Sequence, residues 1–170
     1  LVRFLSGYRC RIVVIDDLSA GSADNIPRAK NVVFHKATIL DDAVLKRIFR
    51  EKIDYIFHLA AHFANQNSID HPMQDIMTNT VGTLKLLEES RHGRIKRFVY
   101  ASSSCVYGPN DKRITEDFVK KLETPYAISK LTGEEYVHFF HRYYGMKTTV
   151  VRYFNAYGPG DPPGEYRNVI

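Results

Sequence analysis

Cysteine is scarce in this chain of 170 residues: Cys10 and Cys105 are the only two. They stand at the edges of different strand-like runs and in no metal-spaced cluster. This argues against a disulfide framework or a structural metal site and points to reduced thiols in a cytoplasmic protein. No apolar run approaches the roughly 20 residues that a membrane span needs, and no signal peptide is visible. The net charge is +5, yet lysines and arginines are scattered and form no block, which disfavours nucleic-acid binding. A mild positive bias suits a small molecule that carries phosphate. There is no Gly-x-Ser-x-Gly elbow, so a hydrolase triad is unsupported. The chain also lacks an initiator methionine. Leu1 to Leu5 read as the end of an amphipathic helix stopped at Ser6-Gly7, and a preceding segment is expected.

What is present is an ordinary globular composition, 44% hydrophobic and 25% charged, long enough for one domain with a core. Strand-like runs cover Arg11 to Ile15, Asn31 to His35, Asp54 to Leu59, Phe98 to Ala101 and Thr148 to Tyr153. Helical spacing covers Asp41 to Arg50, where Val44, Leu45, Ile48 and Phe49 share a face, and Pro72 to Arg91, stopped by Gly93. A further helix starts with Thr124 as N-cap and Pro125 at its first position, and ends near Tyr144 before Gly145. Loop composition follows from Tyr157 to Gly164. Strands alternating with helices predict an α/β fold with a doubly wound, mainly parallel sheet. Ligands of such sheets bind beyond the carboxyl ends of the strands. Asp16-Asp17, Leu59-Ala60-Ala61, Ser102 to Ser104 and Phe154-Asn155 all fall at such ends.

Tyr126 and Lys130 lie four residues apart in the helix that starts at Pro125, so they point the same way. The ammonium favours the phenolate and is expected to pull the tyrosine down from about 10 toward the working pH, making Tyr126 a general base. Ser103 can hold a substrate hydroxyl and help pass its proton to Tyr126. Asp16, ending a strand, can accept hydrogen bonds from a ribose diol and repel a 2′-phosphate, which favours NAD over NADP; Asp-Asp-Leu-Ser is equally good turn chemistry. The small residues Ala60 and Ala61 let a flat or phosphorylated ligand approach the backbone, or simply serve helix packing. His58 is read as a hydrogen-bonded core residue. Asn155 can meet a diphosphate or cap a loop.

The stretches Val14-Ile15-Asp16-Asp17-Leu18-Ser19, His58-Leu59-Ala60-Ala61 and Asn79-Thr80-Val81-Gly82-Thr83-Leu84 resemble the extended short-chain dehydrogenase/reductases that act on nucleotide sugars. So do Ala101 to Gly108, Tyr126 to Lys130 and Arg152-Tyr153-Phe154-Asn155. These motifs come in family order and cover nearly the whole chain. The resemblance implies a Rossmann-type NAD-binding domain over 1–155, lacking its first strand and glycine-rich loop, with 156–170 opening the substrate-binding portion. It implies catalytic Ser103, Tyr126 and Lys130. It implies cofactor contacts from Asp16, Asp17, Leu18, Ile39, Leu59, Ala60, Ala61, Asn79, Tyr126, Lys130 and Tyr153. Thr38 stands where many relatives have an aspartate, so only Ile39 is carried over there. Substrate contacts implied are Ser103, Ser104, Cys105, Tyr126 and Asn155, and no metal is implied.

Within the family, 4,6-dehydratases resemble one another in an Asp-Glu pair after the serine, and related decarboxylases in a glutamate one place further on. Here those positions are Ser104 and Cys105. The expected activity is therefore NAD-dependent 4-epimerisation of a nucleotide-diphosphate sugar. A reductase, synthase or dehydratase on the same scaffold, or a non-catalytic nucleotide sensor, is the alternative. The resemblance also implies a homodimer packed through the helix from Pro72 and the helix bearing Tyr126. Because the first strand of such a sheet is central, residues 1–170 alone are expected to be poorly stable and to show no micromolar NAD binding by calorimetry.

Overall fold

Strand β1 (Ile12–Asp16) is almost wholly apolar and lies parallel to β2 (Val32–Lys36), with Ile12 opposite Val32 and Asp16 opposite Lys36. In the computed structural model, which describes residues 1–62, 64–93, 95–156 and 158, a second parallel sheet holds β3 (Tyr55–His58), β4 (Arg97–Ser103) and β5 (Thr148–Tyr153), with β4 in the middle. Among the described residues the two sheets share no ladder. This is the expected parallel α/β fold without a strand joining β1 to β3. Side chains alternate along a strand. Tyr55 and Phe57 of β3 are accordingly exposed while His58 is buried.

The helices follow their caps. Helix α1 (Val2–Leu5) is short. Helix α2 (Asp42–Ile48) starts at Asp41, whose carboxylate accepts from the Ala43 and Val44 N–H groups at 2.9 and 3.1 Å. It buries Leu45 and Ile48. The long helix expected from Pro72 arrives in three consecutive pieces: α4 (Pro72–Asp75), a widened π turn (Ile76–Val81) and α5 (Gly82–His92). The hydroxyl of Thr83, in the first turn of α5, donates back to the Asn79 carbonyl of the π turn at 2.6 Å. Such side-chain bonds compete with the regular helical ladder. A further helix, α3 (Asn65–Asp70), was not expected.

Helix α6 (Pro125–Tyr144) has the expected ends. Thr124 Oγ1 accepts from the Ala127 N–H at 3.2 Å, and Gly145 adopts the left-handed conformation (φ 66°) that glycine takes without strain. Strand β4 runs two residues past its expected end, so Ser103 is its last residue, and a 3₁₀ turn (Ser104–Tyr107) follows. The domain boundary expected at 155/156 and the loop after it lie largely outside the described residues.

The core gathers Leu45, Leu87, Phe98, Tyr100, Val137, Phe140 and Met146 between the second sheet and α2, α5 and α6. One contact sets how closely α6 approaches β4. A Cβ on Gly133 would stand 2.1 Å from the Tyr100 hydroxyl oxygen, so only glycine admits this spacing. Gly133→Ala is therefore expected to destabilise the fold by about 1–3 kcal/mol, the usual cost of overpacking, read as a lower denaturation midpoint with an unchanged slope.

Candidate active site

Ser103 closes β4 and Tyr126 is the second residue of α6, so the two elements that cross at Gly133 also bring these hydroxyls together. The Ser103 hydroxyl stands beside the Tyr126 phenol and favours its ionised form. Ser103 Oγ also accepts from the Cys105 N–H at 3.2 Å, which starts the 3₁₀ turn. The unexpected helix α3 anchors the start of α6: buried Ser68 accepts the Tyr126 N–H at 3.0 Å, and Thr124 Oγ1 donates to Asn65 Oδ1 at 3.0 Å. Lys130 lies one turn further on and is 2% exposed. Its Nζ stands 4.8 Å from the Tyr100 ring centroid and 5.9 Å from that of Tyr126. A desolvated ammonium over aromatic faces is a favourable seat.

Electrostatics correct one expectation. Tyr126 is not drawn down toward the working pH. Burial pushes its hydroxyl up to about 12, nearby Cys105 adds to this, and the Ser103 hydroxyl works against it. Tyr126 and Lys130 do share a face, but the ammonium is seated over the two rings and desolvation of the phenolate outweighs it. Burial also brings Lys130 down to about 8, with Asp75 and Glu134 opposing. His58 falls to about 3 through burial and then the charge of Lys130. It is 3% exposed, with Nε2 2.7 Å from Thr83 Oγ1, and is the neutral core residue expected.

Behind the trio lie residues the sequence did not single out. Glu134, one turn beyond Lys130, meets Arg152 of β5 through two parallel bonds of 2.8 and 2.7 Å and accepts from Ser102. Burial acts to raise its carboxyl, but Arg152 and Ser102 outweigh burial and hold it below the ordinary range. Arg152 also donates to the Tyr107 hydroxyl (2.6 Å) and the Glu116 carbonyl (2.7 Å). Glu134 pairing four residues after Lys130 was a readable signal; its arginine, on a distant strand, was not.

The other expected residues divide. Asp16 is exposed at the end of β1 with Oδ1 accepting from the Leu18 N–H at 2.7 Å, and Asp17 caps Ser19 at 2.8 Å. Both therefore do turn work, and Asp16 keeps a second oxygen for a ligand. Leu18 sits at φ 63°, a left-handed conformation uncommon for leucine. Leu59 is 50% exposed, and Ala60 and Ala61 are partly buried beside it. Tyr153 pairs with Ser103 in register, and its side chain is exposed. Ser104 and Cys105 are partly buried and Asn155 is exposed.

Two of the residues expected at the cofactor are buried. Ile39 is part of the apolar core, with Gly82 packed against it. Asn79, expected among the cofactor contacts, is 1% exposed and turned inward. Its Oδ1 accepts from the His62 N–H at 2.8 Å, and its Nδ2 faces the His62 carbonyl, Asp75 and Ser129 at 3.0, 2.8 and 3.2 Å. Both N–H donors of this amide are thus engaged within the protein, while its oxygen accepts one bond of the two it can take.

The strand ends thus present an acid with a spare oxygen, small and apolar residues, and a half-buried phenol between a buried hydroxyl and a buried ammonium, a set that fits a dinucleotide. Comparison with known proteins agrees. Residues 1–170 match the NAD dependent epimerase/dehydratase family. An epimerase of Methanothermobacter thermautotrophicus is 48% identical with a TM-score of 0.88, over 93% of this chain and 48% of that one. The UDP-glucose 4-epimerase of Thermotoga maritima, solved with UDP-glucose, is 36% identical with a TM-score of 0.91, over 98% and 55%. That of Thermus thermophilus, solved with NAD, is 32% identical with a TM-score of 0.89, over 96% and 53%. The chain belongs to this family of NAD-dependent enzymes, and its cofactor is NAD. It spans about half the length of the curated relatives it matches.

Lys130 has a thermodynamic consequence. Its pKa in the fold, about 8, lies below the roughly 10.4 of an unfolded chain. Between these values the unfolded state binds more protons, so stability rises with pH there. Lys130→Met removes this dependence. Its stability relative to the native chain is expected to be highest below pH 8 and to decline by about pH 10, as followed by thermal unfolding across pH.

Proposed function

We propose that this chain is the cofactor-binding half of an NAD-dependent nucleotide-sugar 4-epimerase, an isomerase that oxidises C4 transiently. The observation that carries the reading is the convergence of Ser103, Tyr126 and Lys130 at the carboxyl end of β4, with Ser104 and Cys105 beside them in place of acids. Asp16 would hold the adenosine ribose, with Asp17 and Leu18 beside the adenine. Leu59, Ala60 and Ala61 would line the channel, with buried Ile39 behind it. Lys130, Tyr126 and Tyr153 would flank the nicotinamide end. Asn155 would meet the substrate diphosphate, and Ser103, Ser104 and Cys105 the sugar. When bound, NAD supplies the acceptor and then the donor of the hydride.

The remaining chemistry falls to the chain. Ser103 Oγ hydrogen-bonds the 4-hydroxyl and orients it toward Tyr126. Tyr126 Oη takes the hydroxyl proton as C4 loses its hydride, and returns it once the other face of C4 is refilled. Burial alone opposes the phenolate, so positive charge close to the ring is required, and Lys130 supplies it. No added acid is needed, because atoms leave and return at one carbon.

Exposed Ile69, Met73, Ile76 and Met77 along α3, α4 and the π turn, together with Ile128 on α6, support the homodimer through these helices. Met73→Glu is expected to convert dimer to monomer in sedimentation. The free thiols Cys10 and Cys105 suit a reducing, cytoplasmic setting. Tyr126→Phe in the complete enzyme is expected to lose roughly 10²- to 10⁴-fold in rate, the worth of a general base. Turnover should leave the reduced-nicotinamide absorbance flat. Near-native activity of the variant would refute the tyrosine's role, and steady accumulation or consumption of reduced cofactor would indicate a reductase or synthase.

A further inference from the structure

Asp75 ends α4 with its side chain buried, 1% exposed. No lysine or arginine forms an ion pair with it among the described residues. A carboxylate placed so is costly, and what surrounds it is specific. Asn79 Nδ2 donates to its Oδ2 at 2.8 Å. The hydroxyl of Ser129, the residue before Lys130, lies beside it and favours its ionised form. That same hydroxyl lies 3.2 Å from Asn79 Nδ2 and bonds the Tyr126 carbonyl at 3.1 Å. One carboxylate thus ties α4, the π turn and the turn of α6 that carries Tyr126 and Lys130.

We propose that Asp75 is a positioning residue for the reaction assigned above: through Asn79 and Ser129 it fixes that turn of α6, and its negative charge keeps the Lys130 ammonium charged beneath the substrate. The inference rests on the epimerase reading. The groups facing Lys130 are Asp75, Glu134, Tyr100, Tyr126 and His58; His62 faces Asp75 from the loop after β3. Of the two acids, Glu134 has both oxygens on Arg152. Asp75 is the one whose charge is not already matched by a guanidinium. Burial raises the Asp75 carboxyl, while Ser129, His62, Lys130 and Asn79 favour its ionised form. Asp75 and Lys130 therefore support each other's charge.

Asp75→Asn keeps the shape and removes the charge. Its pH profile of kcat/KM in the complete enzyme is expected to lose its alkaline side, where Lys130 deprotonates, at a pH lower by about one unit, a tenfold change in proton affinity. An alkaline limb that stays in place overturns the proposal. If Asp75→Asn does not fold, Ser129→Ala serves. Removing that hydroxyl weakens the carboxylate charge, so the limb should move the same way by less, and an unmoved limb in a folded Ser129→Ala enzyme overturns the proposal too. Tyr126→Phe and Lys130→Met in the same assay separate the two readings. If they stay active, the epimerase mechanism fails. If they are dead while Asp75→Asn keeps the native profile, only the role of Asp75 fails.

Discussion

The close crossing of α6 over β4 is the constraint on which the rest of this structure depends. Gly133 lets the helix backbone descend onto the Tyr100 ring, and that ring is both a centre of the core and the seat of Lys130. The same crossing sets Tyr126 against Ser103 at the end of the strand. Glu134, the residue after Gly133, and Arg152 lock the helix to β5, with good bidentate geometry at a buried site. Core packing and site geometry are therefore one set of contacts here. A shift of α6 away from the sheet would disturb both at once.

The site is electrostatically strained by its own burial. Lys130 is lowered and Tyr126 raised, so each resists its charged form. The charges of Asp75 and Glu134 oppose this at the ammonium, and the Ser103 hydroxyl opposes it at the phenol. Paired titratable groups driven away from their ordinary values are characteristic of functional sites. Ion pairs that only stabilise the fold produce similar shifts. Glu134 and Arg152 belong to that second kind, because every polar contact they make is directed into the protein.

The two sheets present different strand ends. β1 ends at the acidic Asp16, while the second sheet ends at Ser103 and at the apolar exit of Leu59, beside Tyr126 and Lys130 of α6. A ligand that touches both must be long, as a dinucleotide is. Among the described residues β1 and β3 share no ladder.

The sequence by itself determined the order of the elements, both ends of α6, and the strand exits where small and polar residues gather. Such features depend on local periodicity and on caps such as Thr124, Pro125 and Gly145, which act within a few residues. The family motifs likewise named Ser103, Tyr126 and Lys130. Only the tertiary structure decided that Asn79 faces inward, that the helix from Pro72 widens around it, and that α3 supports the start of α6. It also decided that burial, rather than the neighbouring ammonium, dominates Tyr126. Desolvation is a sum over every group packed around an atom, and partners such as Arg152 for Glu134 or Ser129 for Asp75 come from distant stretches of chain. Spacing along the sequence carries neither quantity.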